Sequence, residues 1–167
     1  MDTVIGAQPG SGPRSLDFTN LRLVFRTSDL TITWTTSDLT RPPAGEQWVY
    51  SLTFTRGETP YRVHAIMAAT SLPGPEISPD RDQFSVIING GVASGGTSKT
   101  ITGAFDQSAK RIRLTLKAVD LQQASLRYFG LSHLQTSSEA KINSVSSTSD
   151  DLELSQRVFT TGSHAGC

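Results

Sequence analysis

Apolar and polar residues alternate with a period of two through most of the chain between Leu16 and Leu121. Such a period is typical of β-strands that bury one face and expose the other. Residues 30–35 show it clearly, since leucine, isoleucine and tryptophan alternate there with three threonines. Residues 111–117 alternate aliphatic side chains with arginine and lysine in the same way. The chain is therefore predicted to consist mainly of strands with one apolar and one polar face.

The alternation predicts about eight or nine short strands, which follow one another at intervals of about 8–12 residues. No stretch has the pattern of an amphipathic helix, although residues 118–127 are long enough for one helical turn. Two packed layers of antiparallel sheet bury the apolar faces best, so the predicted fold is an all-β, antiparallel β-sandwich of jelly-roll type. The positions predicted to face its core include Leu21, Leu23, Phe25, Leu30, Ile32, Trp34, Leu52, Phe54, Val86, Ile88, Ile112, Leu114 and Leu116.

The ends of the chain and one internal segment lack this alternation. Residues 1–15 are rich in glycine, proline and serine, and are predicted to form a flexible N-terminal arm. Residues 16–160 are predicted to form a single domain that contains a mobile polar loop at 136–151, and residues 161–167 a flexible tail. The main apolar residues of the arm are Val4 and Ile5, which we expect to anchor it at the sheet edge of a partner protein.

Composition excludes several classes of partner. The 167 residues carry equal numbers of acidic and basic side chains, and they include 21 serines and 20 threonines. A net charge of zero argues against a broad electrostatic grip on nucleic acid or on an anionic membrane. No apolar run approaches the roughly 18 residues needed to span a bilayer. A single cysteine excludes an internal disulfide framework.

Motifs that would indicate catalysis or a resident cofactor are missing from the sequence. The chain has no G-x-S-x-G motif, which would hold a serine nucleophile on a strained turn. None of its three histidines has a second histidine at metal-binding spacing. The glycine-rich residues 90–96 lack the Gly-Lys-Ser/Thr ending of a phosphate-binding loop. We therefore expect a protein that is not an enzyme and that needs no cofactor.

Aromatic side chains are the residues that favour a binding role. A flat ring can stack on the face of a sugar, and Trp48, Tyr50 and Tyr61 are the candidates for such a platform. The alternative for these residues is the core, because Trp48 and Tyr50 share a strand face with Leu52 and Phe54.

The order of strand and turn sequences resembles a known group of domains. The segments that carry the resemblance are residues 16–21 (LDFTNL), 28–34 (SDLTITW), 37–45 (SDLTRPPAG), 48–55 (WVYSLTFT), 61–65 (YRVHA) and 101–116 (ITGAFDQSAKRIRLTL). In these segments the chain is similar to the β-sandwich accessory modules of secreted actinobacterial proteases and related exported proteins, which look like DOMON and family-nine carbohydrate-binding sandwiches. The resemblance covers residues 16–159 and implies a non-catalytic module.

A calcium site is implied by the same resemblance, because family-nine-like sandwiches often tie their two ends together. Asp2, Asp150 and Asp151 would supply the oxygen ligands that calcium needs. Calcium is the one metal that we expect the chain could bind.

Two function classes remain open at this stage. One is a structural subunit of a virion, such as a phage decoration, tail or fibre protein, since the start of the sequence shows no secretory signal. The other is an accessory module of a secreted enzyme that binds a polysaccharide or a surface. Both imply a non-catalytic interaction module with protein partners or copies of itself, placed extracellularly or on a virion surface.

Overall fold

The computed structural model describes residues 2–6, 14–70, 81–142 and 145–154, and gives the backbone alone for residues 2–6, 93, 142 and 145–154. Two antiparallel sheets pack face to face, and the described residues contain three short 3-10 turns but no α-helix. The predicted all-β sandwich is confirmed. No helix in these ranges is long and apolar enough to cross a membrane.

The described residues form eleven strands in the two sheets. In chain order they are β1 (Asp2–Gly6), β2 (Phe18–Phe25), β3 (Asp29–Thr36), β4 (Glu46–Arg56), β5 (Thr59–Ala68), β6 (Gln83–Ile88), β7 (Thr97–Thr100), β8 (Thr102–Asp106), β9 (Arg111–Lys117), β10 (Ser132–Ile142) and β11 (Val145–Leu154). The five-stranded sheet has the order β1-β2-β3-β9-β8, and the six-stranded sheet has the order β11-β10-β4-β5-β6-β7.

The connections are mostly between sheet neighbours. The chain passes from one sheet to the other after β3, after β7 and after β9. The connectivity therefore differs from that of a jelly roll, although the two-layer sandwich is the one expected. The third crossing places the consecutive strands β9 and β10 in different sheets. Strand β9 pairs with β3 in the five-stranded sheet, and β10 pairs with β4 in the six-stranded sheet.

Burial follows the alternation predicted from the sequence. In β9 the side chains of Ile112, Leu114 and Leu116 are fully buried, whereas Arg111 and Arg113 are exposed. The other apolar positions predicted to face the core are buried as well. These side chains form one continuous hydrophobic cluster between the sheets.

One side of the sandwich is closed by the chain itself. Ile101 lies between β7 and β8, and its N–H donates to the carbonyl of Phe84 at 3.0 Å. Gly103 follows on β8, where an added Cβ would lie 2.3 Å from the Phe84 ring and 2.6 Å from Leu114. The missing side chain at Gly103 thus lets the ring of Phe84 cross over from the opposite sheet.

The boundary of the domain lies before Leu16, contrary to the prediction of an arm over 1–15. Ser15 is buried within a 3-10 turn at Arg14–Leu16. Its carbonyl accepts a hydrogen bond of 2.8 Å from the hydroxyl of Tyr50, and its Oγ lies 3.0 Å from the hydroxyl of Thr40. These bonds satisfy the polar groups of the turn and fasten it to the end of the sandwich.

The first residues of the predicted arm form strand β1, which pairs with β2 of the same chain. Val4 is opposite Arg22, and Ile5 is opposite Leu21. The prediction that residues 2–6 are free of the fold was therefore wrong, because backbone pairing holds them although they add few apolar side chains.

The predicted mobile loop at 136–151 was also wrong, since residues 136–142 belong to β10 and residues 145–151 belong to β11. Thr136 and Ser138 point inward from β10 and are fully buried. Buried hydroxyls that find partners can occupy core positions, so the polar composition of this segment does not exclude a strand. The predicted tail at 161–167 lies outside the described residues.

Substitutions at neighbouring positions of β9 test the face assignment. We expect Leu114→Ala to lower the free energy of unfolding by about 2–5 kcal/mol, because it removes a fully buried side chain and leaves a cavity. Arg113→Ala, at an exposed position, should change the free energy of unfolding by no more than about 0.5 kcal/mol. Urea unfolding of both variants measures the difference, and equal effects would contradict the assignment.

Candidate functional site

A groove of about 390 Å³ lies on the outward face of the six-stranded sheet. The outward side chains that line it are Thr53, Thr55, Arg62, Ile87, His133 and Gln135. Most are polar, and the volume lies within the range of roughly 300–1,000 Å³ found for small-molecule sites. This groove is therefore the candidate functional site.

Strand register places the lining residues side by side. Gln135 on β10 is opposite Thr53 on β4, Thr53 is opposite Arg62 on β5, and Arg62 is opposite Ile87 on β6. Four strands thus contribute one row of side chains across the sheet. The row points outward because its members alternate with buried core residues along each strand.

A β-bulge positions the fifth polar side chain of the groove. The register of β10 against β4 shifts between Ser132 and Gln135, and His133 has a φ of 52°. A histidine in this left-handed conformation costs on the order of 1–3 kcal/mol and needs support from its surroundings. The hydroxyl of Thr55 supplies it, since Oγ1 lies 2.8 Å from Ser132 Oγ and 3.1 Å from His133 Nδ1.

Arg62 gives the groove a positive charge. Its side chain is exposed, and none of the ion pairs between described side chains involves it. The residues that line the groove include no carboxylate. Arg26 and Arg41, by contrast, pair with Asp29 and Asp82 at 3.0 and 2.9 Å.

The aromatic residues predicted as a sugar platform are core residues instead. Trp48, Tyr50 and Tyr61 are only 6%, 0% and 4% exposed. The polar group of each ring donates to a backbone carbonyl. Trp48 Nε1 donates to the carbonyl of Thr40 at 3.0 Å, and the hydroxyls of Tyr50 and Tyr61 donate to the carbonyls of Ser15 and Leu121 at 2.8 and 3.4 Å. Burial also raises the pKa of both tyrosines. Tyr61 is nevertheless among the residues that line the groove, whereas Trp48 and Tyr50 are not.

The side chains of the predicted calcium ligands lie outside what the structure describes. Asp2 is opposite Val24 in the backbone pairing of β1 and β2, and Asp150 is opposite Ser138 in the pairing of β10 and β11. Ser138, the partner of Asp150, donates through Oγ to the carbonyl of Leu16, just before the start of β2. Val24, the partner of Asp2, lies near the end of β2. The described side chains contain no group of three or more histidine, cysteine, aspartate or glutamate residues that could hold a metal ion. The calcium site involving Asp2, Asp150 and Asp151 stays a prediction.

A second histidine lies in the neighbouring outward row of the same sheet. His64 on β5 is opposite Ser51 on β4 and Ser85 on β6. Burial, together with the positive charges of Arg62 and Lys141, lowers the pKa of His64 to about 4, and the charge of Glu139 opposes the shift. The imidazole is therefore neutral near pH 7.

Comparisons with protein families, curated proteins and solved structures found no match to this chain. Assignment of a function therefore depends on the residues and on the geometry of the groove.

Tyr61 was a binding candidate from the sequence, but the polar residues of the groove were missed for an identifiable reason. Thr53, Thr55 and Arg62 occupy outward positions of their strands, where polar side chains are expected. What the alternation did not indicate is the register that brings them into one row with Gln135, or the bulge that adds His133.

The low pKa of His64 predicts a pH dependence of stability. Because this pKa is about 4 in the folded chain and about 6.5 in an unfolded one, the unfolded state takes up more protons between these values. The free energy of unfolding should be at its full value above pH 6.5 and should fall by about 1–3 kcal/mol as the pH is lowered to 4. Urea unfolding of the parent and of His64→Gln measures this, and the variant should lose less stability over the window.

The comparison with His64→Gln isolates the histidine, because all other titratable groups are the same in both proteins. An imidazole of His64 that titrates near pH 6.5 in an NMR experiment would contradict the prediction.

Proposed function

We propose that the chain is a non-catalytic structural and interaction module, which works as a subunit of a larger extracellular or virion assembly of the decoration, tail or fibre type. The observation that carries the proposal is the difference between the two sides of the sandwich. One side is closed by the direct passage from β7 to β8 through Ile101. The opposite side ends in β1 of one sheet and β11 of the other.

These two edge strands give the open side its capacity to bind. β1 pairs only with β2, and β11 pairs only with β10, within the ranges described. The outer edge of each strand therefore carries backbone N–H and C=O groups that a strand of another protein can pair with. Such pairing needs no catalytic residue and no cofactor.

A binding role, rather than a catalytic one, is also supported by the chemistry of the groove. Thr55 and Ser132 present hydroxyls next to His133. A nucleophile and base of this kind need a third group that orients the base. No carboxylate among the groove-lining residues fills that place.

A second candidate function is an accessory module of a secreted enzyme that binds a carbohydrate or a surface. The groove favours it, because the row of Gln135, Thr53 and Arg62 offers hydrogen-bonding side chains on an exposed sheet face. The aromatic platform first expected for this function is buried, so binding would depend on the polar row.

Proline at two adjacent positions of β1 tests the assembly proposal. Consecutive N–H groups of a strand point to opposite edges, so Thr3→Pro and Val4→Pro remove one N–H that faces β2 and one that faces outward. We expect the chain to self-associate as its concentration rises in sedimentation velocity experiments. The variant that lacks the outward N–H should keep the parent melting temperature but remain monomeric.

The variant that lacks the N–H toward β2 is the matched control, and it should have a lower melting temperature. A parent chain that is monomeric at every concentration, or two variants that associate as the parent does, would contradict assembly through the β1 edge. That result would favour the accessory module instead.

A further inference from the structure

We propose that the groove on the six-stranded sheet is a binding site for an acidic saccharide, in which Arg62 binds a carboxylate of the sugar. The inference rests on the second candidate function and names its ligand class, and the site does not involve the edges of β1 and β11 on which the assembly proposal depends.

The charge of the groove selects an anionic ligand. Arg62 projects from β5 between Thr53 and Ile87, so its neighbours in the row are uncharged. The guanidinium group donates two parallel hydrogen bonds to a carboxylate, which makes arginine well suited to such a ligand. The other arginines near this end of the sandwich differ, because Arg56 and Arg127 lie over the rings of Phe129 and Tyr128.

The uncharged side chains match the hydroxyl groups of a sugar. Thr53, Thr55 and Gln135 carry hydroxyl or amide groups that both donate and accept hydrogen bonds. His133 uses Nδ1 toward Thr55 at 3.1 Å, which leaves Nε2 for a ligand. Ile87 adds an apolar surface for the C–H groups of a sugar ring.

The bulge at His133 points to a role in binding. Its side chain is exposed, so packing in the core does not explain why a histidine occupies a left-handed backbone position. Bulges are frequent next to functional sites, where they change the direction of a side chain. Here the bulge adds an imidazole to the end of the row formed by Gln135, Thr53 and Arg62.

A saccharide fits this face better than a peptide does. Extended peptides bind to sheets mainly through backbone hydrogen bonds at an edge. The strands that form the groove, β10, β4, β5 and β6, all have neighbours on both sides in the six-stranded sheet. Their backbone groups are therefore committed to the sheet, and recognition has to come from side chains.

Binding of tetragalacturonate, measured by isothermal titration calorimetry, tests the proposal. The fully methyl-esterified tetramer has the same skeleton without the charge and should bind much more weakly. Arg62→Gln should raise the Kd for the acidic tetramer about tenfold or more, because it removes the charged partner of the carboxylate. Arg113→Gln removes another exposed arginine, from the opposite sheet, and it should leave the Kd unchanged.

His133→Gly is a second variant that does not depend on the charge. Glycine adopts a positive φ readily, so this variant should keep the parent melting temperature while its Kd rises several-fold. Equal effects of Arg62→Gln and Arg113→Gln would show a general charge effect and overturn the site. Failure of the parent to bind the tetramer would overturn it as well.

Tetraglutamate distinguishes the ligand class, since tighter binding of this peptide than of the acidic sugar would overturn a saccharide site. The same titration with the proline variant that remains monomeric separates the sugar site from assembly through the β1 edge. If this variant still binds the acidic sugar, the groove works independently of assembly.

Discussion

The indole N–H of Trp34 requires an acceptor inside an apolar core, and much of the architecture depends on how this requirement is met. Trp34 Nε1 donates to Thr136 Oγ1 at 2.6 Å, and the same hydroxyl donates to the carbonyl of Ser51 at 2.8 Å. One threonine on β10 thereby links β3 of the five-stranded sheet to β4 of the six-stranded sheet. An unpaired donor at this depth would cost a substantial fraction of the stability of a domain.

The register of β10 connects this buried bond to the groove. With Thr136 held inward, Gln135 has to face outward, and it lies opposite Thr53. Ser138, two residues further along, also points inward, and its hydroxyl donates to the carbonyl of Leu16. Two buried hydroxyls on β10 therefore determine which of its side chains reach the outward face. The placement of the polar row is a consequence of how the core satisfies its hydrogen bonds.

The sequence predicted the strands whose inward positions are apolar, and it failed where those positions are polar. Ile112, Leu114 and Leu116 show a period of two without any knowledge of their partners. Thr136 indicates an inward position only once Trp34 is known to lie beside it, and the two residues are 102 positions apart. The row of the groove was hidden for a similar reason, since alternation gives the face of a residue but not its neighbours on other strands.

The pairing of β3 with β9 in one sheet and of β4 with β10 in the other has a consequence for the order of folding. Strands β4 to β7 are consecutive in the chain and adjacent in the sheet, so they can pair locally. The pairs β3–β9 and β4–β10, by contrast, join segments that are far apart in the chain. Contacts at such separations form slowly, typically over milliseconds to seconds in all-β domains. During synthesis, β3 and β4 emerge well before β9 and β10, so each has an unpaired side that closes late. The period of greatest exposure to aggregation therefore involves the central strands of the finished sandwich.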